Sequence, residues 1–147
     1  MPGIFEKFGV RFLYPENWSI VDEAGDQWPE TVSVQSPGGA FWSLQIYPSE
    51  RDPLQLTADV VREMRNEYAE LDAEQVTEQV AGAELVGYDM DFYCLDMVVT
   101  SQARSFSHGQ RTYLLLWQAE DREFRELERV FAAITTSLVS RELRVES

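Results

Sequence analysis

The sequence predicts an α+β fold, in which a mainly antiparallel sheet of about six to seven strands is flanked by helices as an α/β/α sandwich. Three observations predict it. Short apolar runs separated by turn residues occupy the first third of the chain, two amphipathic segments have helical spacing, and hairpin-spaced strands lie between those two segments. The predicted order is therefore four strands, one helix, three strands and one helix.

Four short strands precede the first helix. Apolar runs place them at 10–14, 18–21, 31–34 and 41–47. Pro15 ends the first strand, because proline has no N–H group for a strand ladder. The segment 22–30 predicts a polar loop, and the sequence SPGG at 36–39 predicts a tight turn.

Two amphipathic segments predict helices. The first covers about 53–73, where Asp52 can serve as the N-cap and Pro53 suits the first helical position. Its apolar stripe comprises Leu56, Val60, Met64 and Leu71. The second helix follows Asp121, a good N-cap residue. Its apolar stripe comprises Phe124, Leu127, Val130, Phe131, Ile134 and Leu138, and the charged residues 141–147 are expected to fray.

The segment between the helices predicts two consecutive hairpins. A strand at 86–94 turns at 95–96 and returns as 97–106, and a second two-residue turn at 108–109 leads into 111–119. These turns fix the cross-strand pairs, because loop length sets the register of a hairpin. The predicted pairs are Asp91 with Thr100, Asp89 with Gln102, Gly87 with Arg104, Arg104 with Tyr113, Gln102 with Leu115 and Thr100 with Trp117.

The predicted register gives the hairpins one apolar face and one polar face, as a half-buried sheet requires. The polar face continues into aromatic side chains of the last strand, and this mixture has the composition of a protein-binding patch. The candidate protein-binding face comprises Asp89, Asp91, Gln102, Arg104, Tyr113 and Trp117. The alternative is that the helix at about 53–73 or a loop covers the aromatic residues. A slip of one residue in either turn would exchange the two faces.

Two segments resemble the PsbP-like superfamily. Residues 9–18, GVRFLYPENW, are similar to its opening motif F-x-x-P-x-x-W, and residues 124–138, FRELERVFAAITTSL, are similar to its closing helix, F-x-x-x-x-x-x-F-x-x-I-x-x-S. That superfamily includes the PsbP subunit of photosystem II, a nuclear-transport factor that binds the Ran GTPase, and small bacterial proteins of unknown role. The resemblance implies an antiparallel sheet between helices, and binding or assembly rather than catalysis. No metal, docking or Ran-contacting residue of the superfamily matches a position here.

Composition excludes several classes of function. The 147 residues include 26 acidic and 12 basic side chains, so the formal net charge is −14. This acidity argues against nucleic-acid and membrane partners, which both need a basic surface. No apolar run approaches the ~20 residues that span a bilayer. The length predicts a single domain over 1–147, and the N-terminal sequence, which lacks a secretory leader, predicts a cytoplasmic location.

The search for catalytic chemistry predicts no catalytic, cofactor-binding or metal-binding residue. Cys94 and His108 are expected at opposite ends of one strand, too far apart for a dyad. Asp89 and Asp91 share a strand face at about 6.6–6.8 Å. The sequence therefore predicts a non-enzymatic protein-interaction or assembly module of unknown partner. The alternative is a small-molecule binding domain with a pocket between sheet and helix, and a hydrolase or isomerase using Asp89, Asp91 and His108 ranks last.

Overall fold

The computed structural model of the protein describes residues 1–23 and 29–144. The elements within these residues are β1 (Gly3–Lys7), β2 (Val10–Tyr14), β3 (Ser19–Glu23), β4 (Glu30–Gln35), β5 (Phe41–Tyr47), α1 (Pro53–Glu67), β6 (Asp72–Val80), β7 (Ala83–Cys94), β8 (Met97–His108), β9 (Arg111–Glu120) and α2 (Asp121–Arg144). Residues 24–28 of the predicted polar loop lie outside the described residues.

In the described part of the chain, seven strands form one antiparallel sheet in the order β3-β4-β5-β9-β8-β7-β6, and β1 pairs with β2 separately. The two helices pack on opposite faces. Because side chains alternate along a strand, Leu85 of β7 joins the core under α2, whereas Met90 joins the core under α1. This arrangement confirms the predicted α+β fold. Neither described helix has the length and apolar character needed to cross a membrane.

The helix predicted at about 53–73 ends earlier, at Glu67, and residues 72–80 form strand β6 instead. Leu71 continues the apolar stripe of α1 in sequence, but it is buried beside Val61 from the segment that leads into β6. Strand β6 lies at the edge of the sheet, where polar residues are favoured, so its sequence DAEQVTEQV lacks the apolar signal of an inner strand. Strand β1 was also not predicted.

The predicted register is correct in the first hairpin and shifted by two residues in the second. Asp89 lies opposite Gln102, as predicted, and the turn residues 95–96 both have positive φ angles. The second turn is Gly109-Gln110 rather than 108–109, because these two residues adopt the positive φ angles that a type I′ turn requires. Thus Gln102 lies opposite Trp117, Arg104 opposite Leu115 and Phe106 opposite Tyr113. A shift of two residues leaves every side chain on its predicted face.

Gly87 marks the closest backbone approach between β7 and β8. A Cβ atom at this position would lie 1.8 Å from the carbonyl oxygen of Ala103. We therefore expect Gly87→Ala to lower the free energy of unfolding by about 1–3 kcal/mol, the usual range for overpacking. Urea denaturation measures this loss. Gly38→Ala is the matched control, because the nearest atoms that its Cβ would meet belong to the end of the flexible Glu123 side chain rather than to backbone. Equal losses in the two variants would contradict the prediction.

Candidate functional site

The six residues of the predicted binding face all lie on the α2 side of the sheet, but they do not form one exposed surface. Arg104, Tyr113 and Trp117 are buried. The aromatic side chains are therefore covered, which is the alternative that the sequence left open, and the candidate face is corrected in that respect. The reason is that α2, rather than the helix predicted at about 53–73, packs over them: Phe131 of α2 lies 6.4 Å from the ring of Trp117. Asp89, Asp91 and Gln102 keep partial or full exposure at the edge of the helix.

Tyr113 lies deepest under α2. Its hydroxyl donates a hydrogen bond of 2.6 Å to Oε1 of Glu142, near the end of that helix. Burial raises the pKa of the Tyr113 phenol far above its ordinary value, and the hydrogen bond to Glu142 raises it further. The phenol therefore stays protonated at neutral pH and ties the helix to the sheet. This contact gives Tyr113 a structural role.

Arg104 is the centre of a buried ionic network. Its side chain is 4% exposed. Its Nε donates to Glu78 at 2.6 Å and its Nη2 donates to Asp89 at 2.7 Å. Its Nη1 donates to the carbonyl oxygens of Tyr88 and Ala103. Because two carboxylates and two carbonyls satisfy the guanidinium, the buried charge is compensated within the fold.

Two pairs of carboxylates lie directly opposite each other on β6 and β7. Asp72 faces Asp91, and Glu74 faces Asp89, all on the α2 side of the sheet. Directly opposed residues have Cβ atoms about 4.5–5.5 Å apart, and like charges in such pairs destabilise a sheet. We call these four residues the acidic face. The sequence analysis identified only the β7 members, because it assigned the start of β6 to a helix; the alternation of acidic residues at 72, 74 and 78 was the available signal.

Most of the acidic face has no internal counter-ion. Among the described residues, Asp72, Glu74 and Asp91 form no ion pair, and only Asp89 reaches Arg104. Asp91 accepts a hydrogen bond of 2.8 Å from the hydroxyl of Thr100, which fixes its orientation without neutralising its charge. Three of the four carboxylates of the acidic face are therefore exposed and uncompensated.

Raising the salt concentration is expected to stabilise the protein, because salt screens the repulsion between exposed like charges. We expect the free energy of unfolding in urea to rise by about 0.5–2 kcal/mol between low and high NaCl, given two opposed pairs. The Asp72→Asn/Glu74→Gln variant should lose most of this increase. If the variant and the parent protein gain the same stability from salt, the repulsion does not arise from the opposed carboxylates of β6 and β7.

An apolar cluster lies at the turn that joins β7 and β8, next to the acidic face. Tyr93 is 70% exposed and Leu95 is 87% exposed. Met97 and Val98 are also exposed, and Val98 pairs with Tyr93 across the strands. We call these four residues the hairpin tip. Leu95 has a φ angle of 50°, a left-handed conformation that is energetically unfavourable for leucine. Its exposed side chain makes no packing contacts that would offset this energy.

The other candidate groups do not come together. Cys94 pairs with Met97, the first residue of β8, and His108 is the last residue of that strand. The 12-residue length of β8 therefore separates them by on the order of 36 Å. His108 is likewise remote from Asp91, which faces Thr100 eight residues along β8 from His108. Within the described residues, no three His, Cys, Asp or Glu side chains are arranged to hold a metal ion.

The protein has a PsbP-like fold. The solution structure of cyanobacterial PsbP from Synechocystis sp. PCC 6803 has 16% sequence identity and a TM-score of 0.63, over 92% of this chain and 90% of that chain. This similarity confirms, at the level of fold, the resemblance seen in residues 9–18 and 124–138.

Two further solved structures share the architecture. A Pseudomonas aeruginosa protein of unknown function, PA94, described as a putative regulator, has 10% identity and a TM-score of 0.50, over 93% of this chain and 95% of that chain. A Bacteroides thetaiotaomicron protein has 12% identity and a TM-score of 0.50, over 89% of this chain and 43% of that chain. No protein-family profile matches the sequence, and no curated protein matches it. At these identities the similarity defines the fold and leaves the function open.

Proposed function

We propose that the protein is a non-enzymatic interaction module that binds a basic segment of a partner protein at the acidic face and the hairpin tip. The observation that carries this proposal is the pair of opposed carboxylate pairs, Asp72–Asp91 and Glu74–Asp89. Such pairs cost stability in the free protein. Lysine or arginine side chains of a partner would turn this repulsion into attraction.

The hairpin tip supports the proposal, because it adds an apolar anchor to the charged surface. Tyr93 and Val98 extend the same sheet face that carries Asp91. Exposed aromatic and apolar side chains beside charged groups are typical of the residues that dominate protein interfaces. The net charge of −14 would also speed the encounter with a basic partner. The partner is therefore expected to combine basic and apolar side chains.

A titration with a model ligand tests the proposal. The probe is a synthetic nine-residue peptide that alternates lysine with valine, and its control alternates glutamate with valine. Isothermal titration calorimetry at low salt is expected to detect saturable binding of the lysine peptide only, and the affinity should fall as salt is added. Equal binding of both peptides, or binding of neither, would contradict the proposal.

The cytoplasmic location expected from the sequence stays a prediction.

Leu95 provides a separate test of the hairpin tip. We expect Leu95→Asn to raise the free energy of unfolding by about 0.5–1 kcal/mol, because asparagine tolerates the left-handed conformation better than leucine does. The same variant should weaken binding of the lysine–valine peptide. Ile4→Thr, which changes an exposed apolar residue of β1, is the control and should leave the affinity unchanged. If Leu95→Asn binds the peptide as tightly as the parent, the tip is not part of the surface.

A further inference from the structure

A cleft lies on the opposite side of the sheet from the acidic face, between α1 and strands β5 and β9. Its volume is about 510 Å³, within the range of small-molecule sites. Leu114 and Leu116 of β9 line its floor, and Val60 and Met64 of α1 line one wall. The cleft therefore offers an apolar surface to a ligand.

A positively charged side chain is held at one side of this cleft. The backbone of Arg51 is fixed, because its N–H donates to Thr112 at 2.9 Å and its carbonyl accepts from Ser107. Its guanidinium lies 4.6 Å from the centroid of the Tyr47 ring. Among the described residues, this guanidinium forms no ion pair. It can therefore bind the carboxylate of a ligand.

Two carboxylates from α1 also line the cleft. Asp59 and Glu63 are one turn apart, so they lie on the same face of the helix. Asp59 already accepts hydrogen bonds from Arg62 at 2.7 Å and from Gln55 at 2.9 Å. The carboxylate of Glu63 forms no ion pair within the described residues, so it remains available for a cationic group of a ligand.

The Tyr47 phenol lines the same cleft as the opposite charges and is affected by both. Burial raises its pKa, while Arg51 lowers it and the two carboxylates Glu63 and Asp59 raise it further. The hydroxyl donates to Oε1 of Gln45 at 3.1 Å. Thus an unpaired cation and an unpaired anion line the same cleft without contacting each other, with an apolar floor and a neutral phenol beside them.

We propose that this cleft binds a small zwitterion with an apolar body, namely a short apolar peptide. Its carboxylate would pair with Arg51, its ammonium group with Glu63, and its side chains would pack on Leu114 and Leu116. The juxtaposition of the two unpaired charges over an apolar floor selects this class, because a ligand with one charge would satisfy only one side of the cleft. The inference does not depend on the proposed protein partner, since the two sites occupy opposite faces of the sheet.

Three probes test the charge requirement: the dipeptide Leu-Leu, its N-acetyl form, which lacks the ammonium group, and its C-terminal amide, which lacks the carboxylate. Nuclear magnetic resonance titration of the intact protein is expected to show saturable shifts of the methyl groups of Leu114, Leu116 and Met64 with Leu-Leu. Each blocked probe should bind roughly two- to fivefold more weakly, the effect of losing one exposed ion pair. Equal binding of all three, or no saturable binding, would overturn the proposal.

Two substitutions link each charge of the probe to one side chain. Glu63→Gln should weaken Leu-Leu binding roughly two- to fivefold and leave binding of the acetylated probe unchanged. Arg51→Met should weaken Leu-Leu binding by a similar factor and leave binding of the amide probe unchanged. Both residues are exposed, so neither variant should unfold the protein. Glu67→Gln, on α1 but outside the cleft lining, is the matched control and should bind Leu-Leu as the parent does. If Glu63→Gln and Arg51→Met weaken all probes equally, the assigned contacts are wrong.

Discussion

The double variant Glu78→Gln/Asp89→Asn is expected to lose about 3–5 kcal/mol of the free energy of unfolding, because it leaves the buried guanidinium of Arg104 without a counter-ion. Arg104 is 4% exposed and its two carboxylate partners lie 2.6 and 2.7 Å away. The replacement amides keep a hydrogen-bond acceptor but remove the negative charge. Urea denaturation, with the slope of the transition as a check on two-state behaviour, measures the loss.

The matched control for this variant is Asp72→Asn/Glu74→Gln. It also removes two negative charges, from neighbouring positions, but it breaks no ion pair in the described structure. We expect it to leave stability unchanged or to raise it, because it relieves the repulsion across β6 and β7. Similar losses in the two double variants would contradict this prediction, because the carboxylates paired with Arg104 would then contribute no more to stability than the unpaired ones.

The second large effect concerns binding. The triple variant Asp72→Asn/Glu74→Gln/Asp91→Asn is expected to bind the lysine–valine peptide roughly 3- to 150-fold more weakly than the parent, since each of the three exposed ion pairs contributes roughly 0.2–1 kcal/mol. Calorimetry at low salt measures the affinity. The three positions are exposed and form no ion pair in the described residues, so the fold should tolerate the change.

A second triple variant, Glu16→Gln/Glu50→Gln/Glu84→Gln, controls for the loss of net charge. These glutamates are exposed and lie outside the acidic face. If charge alone drives the association, both triple variants should bind equally weakly. If the acidic face is the binding surface, the control should keep an affinity within about twofold of the parent, because its charges lie outside the surface that the peptide contacts and salt screens their longer-range field.

The sequence was sufficient to predict the hairpins because their determinants are local. Alternation along β7 and β8, together with the two-residue turn at 95–96, fixed which residues of these strands face each other. The second turn was misplaced by one residue, which shifts the cross-strand register by two, since His108-Gly109 and Gly109-Gln110 are both plausible turn dipeptides. Only the backbone conformation separates them.

The candidate site was less predictable because its determinants are not local. Asp89 and Arg104 were placed on the same face, but the contribution of Glu78 could not be seen while β6 was assigned partly to a helix. Which helix covers which face of the sheet also depends on the handedness of the connections, so the burial of Trp117 under α2 was not readable from spacing. The cleft that contains Arg51 and Glu63 arises only when α1 packs on β5 and β9.

The most direct test of the acidic face as a binding surface is an amide chemical-shift map of the protein titrated with the lysine–valine peptide. We expect saturable shifts concentrated in residues 72–74 and 89–98, with smaller changes on α1. Shifts confined to α1, to β3 or to the outer surface of α2 would contradict it, as would a protein whose spectrum the peptide does not alter.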